Sequence, residues 1–248
     1  MSKKVDLDSG LFKAAVWSGI ALIVAMVVAQ GLLMHFLPPP SPALSAKEIA
    51  HKFIERRDLI RLGCLIQCIF WSFWVTWGIA ITVFIRKMER SYPILTYISI
   101  ALVGGGSVFF ILIPMTWAVI AFRPETLDPA LMQIMNDWVW FLWLFTWPPF
   151  ALWMVVIGLA IIKDHNTPTL YPRWVAYLNF WSAILIFPAG LIAFFHTGLF
   201  AYNGIGAFYI PFAVFFGWMI TMTITTLQAI NRQGEKLVSS TTPELTPA

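Results

Sequence analysis

The chain has 248 residues, of which 59% are hydrophobic and only 11% charged, with a formal net charge of +4. An average soluble domain carries about 25% charged residues, and helices and short loops use up nearly this whole length, which leaves no room for a separate soluble catalytic or receptor domain. The small positive balance gives no ground for a nucleic-acid partner and reads as the Lys/Arg bias that orients membrane helices.

Residues 174–231, between Arg173 and Arg232, are 58 positions without a Lys, Arg, Asp or Glu. Four more charge-free runs cover 14–46, 62–85, 91–122 and 138–162. A bilayer core ~30 Å thick takes about 20 helical residues per crossing, so four single runs and one double run predict six helices. Unbroken apolar runs, with no polar alternation, exclude a membrane barrel. The predicted fold class is all-α: a polytopic integral membrane bundle of six transmembrane helices with one extracytoplasmic amphipathic segment.

Taken in order, residues 1–10 form a polar cytoplasmic segment. Helix 1 is predicted over about 11–37, too long for the ~7–15 apolar residues of a secretory signal and so retained. Pro38, Pro39 and Pro40 stop it. Ser45 and Glu48 match a capping box that starts a short helix within 45–58. Ile49, Phe53 and Ile54 fall on one face of it, which suits the membrane interface; a solvated extramembrane helix fits equally. Helix 2, about 61–85, holds Cys64 and Cys68, four apart on one face. That spacing cannot staple a loop; the pair reads as small packing residues, with soft-metal ligation as the sharper alternative. Helix 3, about 94–122, contains Gly104, Gly105, Gly106 and Pro114. Asp128-Pro129 predicts an N-cap for a separate short helix, ahead of helix 4 over about 138–162, which Pro148 and Pro149 distort. His165 lies in the tight turn 164–168. Helix 5 covers about 172–196, and helix 6 covers about 204–231 with a bend at Pro211. Residues 233–248 are predicted to be a disordered cytoplasmic tail.

No Asp, Glu, Lys or Arg falls near the middle of a predicted span, which argues against a proton-coupled transporter, a voltage sensor or a Schiff-base pigment protein. His35, His51 and His196 share one predicted side with Glu125, Asp128 and Asp137. A His35/His196 pair could ligate a haem or a metal, although no metal-binding spacing accompanies it. Of the 13 Trp, Trp117, Trp138 and Trp174 fit an interfacial belt. Trp71, Trp74 and Trp77 recur at three-residue spacing on helix 2, and Trp140, Trp143 and Trp147 form a stripe on helix 4. Trp71, Trp74, Trp140, Trp143 and Trp147 are therefore the candidate wall of a pocket for a flat apolar ligand such as a quinone, sterol, carotenoid or hydrocarbon; packing between helices is the plainer reading. Two three-helix halves insert with opposite topology, and Gly104–Gly106 with Pro114 are loosely matched by Gly204 and Gly206 with Pro211, as in inverted-repeat transporters. No nucleotide, zinc-protease or nucleophile motif is present.

The reading that follows is an accessory or small-apolar-ligand-handling membrane subunit without a catalytic centre of its own and with no assigned cofactor. Its partners are the lipid bilayer, other membrane subunits and a hydrophobic small molecule. A transporter with broken helices 3 and 6 is the first alternative, and a haem- or metal-binding oxidoreductase subunit the second. Ten Lys/Arg fall on the side of the termini against six opposite, which predicts both termini in the cytoplasm of a bacterial plasma (inner) membrane. Reporter fusions after Arg90 and Gly234 are expected to read cytoplasmic, and one after Pro124 extracytoplasmic. An extracytoplasmic signal at Gly234 contradicts the even count of spans.

Overall fold

Backbone N–H and C=O groups in hydrocarbon have no water to bond, so they must pair within the chain. The computed structural model describes residues 2–90 and 92–241, with the backbone alone for 2–9 and 234–241. Among the described residues every regular element is helical. Six stretches are long and apolar enough to cross a membrane: Gly10–Leu33, Arg57–Met88, Ile94–Phe122, Pro129–Ile162, Arg173–Ala193 and Ile205–Gln233. The chain is a multi-pass integral membrane protein. Large apolar side chains such as Leu65, Ile69, Val108, Val119, Trp181 and Ile184 point outward along these spans, as a lipid-facing surface requires.

The first span is α1, Ser2–Met26, continued by a π-helical segment, Val27–Leu33. The predicted capping box is present: Ser45 N donates to Glu48 Oε2 at 2.7 Å, and Glu48 N to Ser45 Oγ at 3.4 Å. It starts α2, Ala46–Glu55. This helix buries Ile49, Ala50 and Phe53 and leaves Ile54 exposed. Its apolar face is applied to α6 (Pro129–Leu144) rather than held out to lipid. The second span consists of α3, Arg57–Trp71, and α4, Phe73–Met88, parted at Ser72. The third, α5, is α-helical throughout Ile94–Phe122, with Pro114 inside and the three glycines uninterrupted. Glu89 accepts from Leu95 N at 2.8 Å and Thr96 N at 3.0 Å and so caps its start.

Several boundaries differ from expectation, beginning with α1, which starts at Ser2 rather than near residue 11. Asp128 does cap a helix, accepting from Ala130 N at 2.8 Å, but no separate short helix follows: α6 runs on without a break into the fourth span. The interruption comes instead at Phe145–Thr146, before α7, Trp147–Ile162. Pro148 and Pro149 stand in the first turn of α7, where their missing N–H groups would lack helical partners in any case. The fifth span is α-helical only over α8, Arg173–Leu185, and tightens to a 3-10 helix at Phe187–Ala193, so the expected continuous helix to His196 is not formed. The sixth opens as a π-helix, Ile205–Tyr209, and continues as α9, Ile210–Thr241, with Pro211 in its first turn. The expected loose tail over 233–248 falls partly on this helix, and residues 242–248 lie outside the described ones.

Consecutive spans touch, and α1 also touches α9, so the six close into a ring. Four tryptophans fill its centre. Trp74, Trp77, Trp153 and Trp218 stand with neighbouring centroids 5.2–5.6 Å apart, mostly edge to face as aromatic quadrupoles prefer. Each indole N–H is bonded: Trp74 to Val103 O (3.1 Å), Trp77 to Thr223 Oγ1 (2.9 Å), Trp153 to Ser99 Oγ (2.7 Å) and Trp218 to Asn179 Oδ1 (2.8 Å). Ser99 and Thr82 hydroxyls lie 2.6 Å apart, and Thr82 donates to Gly78 O. Thr82's only proton being committed, Ser99 donates to Thr82, which makes a directed chain Trp153→Ser99→Thr82→Gly78 across three spans.

Close approach explains one glycine in particular. A Cβ on Gly78 would sit 2.7 Å and 2.8 Å from the two methyls of Val103, a fully buried, β-branched residue that cannot swing aside. Gly104 and Gly105 face open space. Gly78→Ala is therefore expected to destabilise the protein by about 1–3 kcal/mol, while Gly105→Ala is neutral or stabilising by up to about 1 kcal/mol through helix propensity. Thermal unfolding in detergent measures both, and equal effects would contradict this packing.

Candidate functional site

The interruption of the fourth span and the tightening of the fifth leave a cleft between them. Its wall is formed by Phe110 of α5, Trp143 and Leu144 of α6, Trp147 and Phe150 of α7, Ile186 and Ala189 of the fifth span, and Pro211, Phe212, Phe215 and Phe216 of α9. The enclosed cavity is small, about 50 Å³, and widens to about 470 Å³ of empty space only when its open side is counted. No ionisable side chain is in the wall. Trp147 stands edge-on to Phe187, 5.2 Å between centroids, and Phe212 packs on Phe216 at 4.5 Å.

The five candidate tryptophans divide among four settings. Trp143 and Trp147 are in the wall of the cleft. Trp71 backs it, 1% exposed, stacked on Phe110 at 4.0 Å and 8° and 5.8 Å from Trp143. Trp74 belongs to the central cluster and touches the cleft through Phe110 and Phe150. Trp140 lies further along α6, stacked on Tyr202 at 5.5 Å and edge-on to Trp117. Pro211 lines the cleft, whereas Pro114 is buried within α5. Of the expected belt, Trp138 and Trp174 are more than half exposed, but Trp117 is at 0%. It is a core residue instead, whose N–H reaches Asn136 Oδ1 at 3.3 Å.

Sequence reasoning missed the phenylalanine side of the cleft. Phe208, Phe212, Phe215 and Phe216 recur at helical spacing, a face that could have been paired with the Trp143/Trp147 stripe. It also missed the polar state of the indoles. Trp71 Nε1, Trp140 Nε1, Trp143 Nε1 and Asn136 Nδ2 are buried without a hydrogen-bond partner, each at a typical cost of about 1–3 kcal/mol.

A second polar group lies beside Trp140. Tyr202 donates from its hydroxyl to Asp137 Oδ1 at 3.1 Å, with the His196 imidazole in electrostatic reach of that carboxylate. His35 is elsewhere, exposed, at a left-handed φ of 54°, in a groove with Lys52, Glu55 and Arg56. His51 is exposed and 3.6 Å from Glu55, and exposed His165 accepts at its carbonyl from Arg90. Cys64 is buried and Cys68 half-buried, both free. Between them Gln67 accepts from Gln30 Nε2 at 2.9 Å and donates to Met34 Sδ at 3.0 Å, tying the first span to the second. Among the described residues no three His, Cys, Asp or Glu side chains gather into a metal-binding group. No protein-family model, curated protein or solved structure matches this chain.

Two phenols outside the spans are held well above the ordinary tyrosine range. Burial does this for Tyr202, reinforced by the adjacent Asp137 carboxylate. Burial also raises Tyr171, whose hydroxyl lies 2.8 Å from Thr226 Oγ1. An unfolded tyrosine ionises near pH ~10, so above that the unfolded chain has lost protons that the folded one keeps, and stability falls as pH rises. Melting temperature in detergent is expected to drop above about pH 10 and to drop less in Tyr171→Phe. Identical slopes for the two proteins would contradict the assignment.

Proposed function

We propose that this chain binds a small apolar molecule in the cleft between its third to sixth spans and acts as an accessory or ligand-handling subunit of a membrane system. The observation that carries this reading is the wall itself: eleven residues, seven of them Phe or Trp and none ionisable, around one open-sided apolar cleft. Such a wall excludes water, orients flat rings by edge and face contacts and offers no acid, base or nucleophile. Phe187, packed edge-on to Trp147 of the wall, and Phe145, next to Leu144 in the chain, both face outward, which supports lateral entry of the ligand from the lipid phase.

The Lys/Arg distribution supports both termini on the cytoplasmic side of a bacterial inner membrane. In that orientation α2 and the Asp137–Tyr202 pair lie towards the outer face, with the cleft deeper.

Mass spectrometry of protein extracted without delipidation is the test. One apolar species enriched over bulk lipid, at close to one per protein, is expected. Ala189→Phe, which places a ring in the cleft, should remove it while the protein still purifies folded. A native preparation with no enriched species, together with solute uptake by reconstituted vesicles, would contradict the proposal and favour a transporter.

A further inference from the structure

On the side of the bundle that holds the chain termini, the turn between the second and third spans lies against the end of the fourth. Between them is an open notch of about 440 Å³ that shares no residue with the cleft. Met88, Leu95 and Ala160 give it an apolar floor, and exposed Arg90, Lys163 and His165 stand at its rim. Each of the two cations has a carboxylate next to it in the chain, and neither carboxylate is available. Glu89 caps the start of α5, with Oε1 accepting from Leu95 N at 2.8 Å and Oε2 from Thr96 N at 3.0 Å. Asp164 is buried and accepts from Asn166 N at 2.9 Å and Leu170 N at 2.7 Å. Among the described residues Arg90 and Lys163 therefore form no ion pair, in contrast to Arg57, which meets Glu125 at 2.8 Å. Of the five N–H donors of a guanidinium, the one that Arg90 uses goes to His165 O at 3.4 Å, which ties the two turns together.

We infer that this notch binds an anionic phospholipid of the leaflet on the side of the termini, with its phosphate on Arg90 and Lys163 and its glycerol and upper acyl chain on the apolar floor. Two cations without acidic partners, set over buried apolar side chains at a membrane surface, match a molecule that is anionic at one end and apolar at the other. Arg90 offers its remaining donors as a planar fork and Lys163 a mobile point charge, the two usual ways of holding a phosphate. Basic pockets between helix ends on a membrane surface recognise anionic headgroups by this chemistry. A zwitterionic lipid carries the same phosphate, but its ammonium group meets the same two cations, so a net-negative headgroup is preferred. Inorganic phosphate would use the cations and gain nothing from Met88, Leu95 and Ala160.

Native mass spectrometry of the full chain in detergent, titrated with phosphatidylglycerol or with phosphatidylcholine of the same acyl chains, tests this. The first phosphatidylglycerol is expected to bind about tenfold or more tighter than the first phosphatidylcholine, the order expected of two interfacial cations. Arg90→Gln and Lys163→Gln should each lower phosphatidylglycerol affinity about fivefold. Arg123→Gln, which removes the same charge at the opposite end of the third span, should leave it unchanged. All three side chains are exposed, so the substitutions leave the fold in place. Millimolar inorganic phosphate should not displace the bound lipid. Equal affinities for the two lipids, or a loss in Arg123→Gln as large as in Arg90→Gln, overturn the site. Displacement by inorganic phosphate identifies a soluble anion as the occupant and overturns the lipid assignment.

Discussion

Inside a bilayer an indole N–H has no water to fall back on, and the four central tryptophans are placed by that constraint. Trp74 and Trp77 from the second span, Trp153 from the fourth and Trp218 from the sixth fill the axis of the ring. Their acceptors come from elsewhere: Val103 and Ser99 on the third span, Asn179 on the fifth and Thr223 on the sixth. Five of the six spans meet in this one arrangement. Burial against lipid provides little drive between membrane helices, so packing and interhelical hydrogen bonds must hold them. The first span is attached differently, through Gln30–Gln67 and through Gly19, whose missing side chain makes room for the Trp77 ring.

The same constraint gives the cleft its meaning. The helical ladder is interrupted at Phe145–Thr146, tightened at Phe187–Ala193 and widened at Ile205–Tyr209, and two of the residues that fix these departures, Pro149 and Pro211, cannot donate. Each departure moves a segment off the ring's regular packing where the spans would otherwise meet side by side. The space that results is apolar, yet it borders indoles that the core has not satisfied. A packing defect would be expected to be lined at random. This one brings a phenylalanine face of α9 opposite a tryptophan stripe of the fourth span.

Much of the fold was legible in the sequence, because run length and charge spacing report the bilayer directly. The six spans, the Ser45/Glu48 capping box and the Asp128 cap follow from rules that act within a few residues. The misjudged boundaries have a shared cause. The fourth span was started late in expectation because its charge-free run begins only after Asp137, whereas Asn136 is buried against Trp117 and Asp137 bonds Tyr202. The fifth span was carried to His196 because nothing in 187–193 except Pro188 and Gly190 marks a 3-10 segment. The site was half legible. The Trp140/Trp143/Trp147 stripe was visible, but its members part company in space. Trp117 likewise reads as an interfacial residue by its place in the helix and is a core residue by its contacts. Which indoles would find acceptors depends on Ser99, Asn179 and Thr223, residues distant in sequence whose role no local pattern announces.

The central claim is that the indoles of the axis are hydrogen-bonded within the protein, and exchange of the 13 indole N–H protons measures it most directly. With ¹⁵N-tryptophan labelling and Trp→Phe variants for assignment, Trp74, Trp77, Trp153 and Trp218 are expected to exchange far more slowly than the exposed Trp138 and Trp174, and to lose that protection pairwise with their acceptors, as in Thr223→Val for Trp77. Exchange of those four as fast as that of Trp138, or protection of Trp77 unchanged in Thr223→Val, would contradict the account.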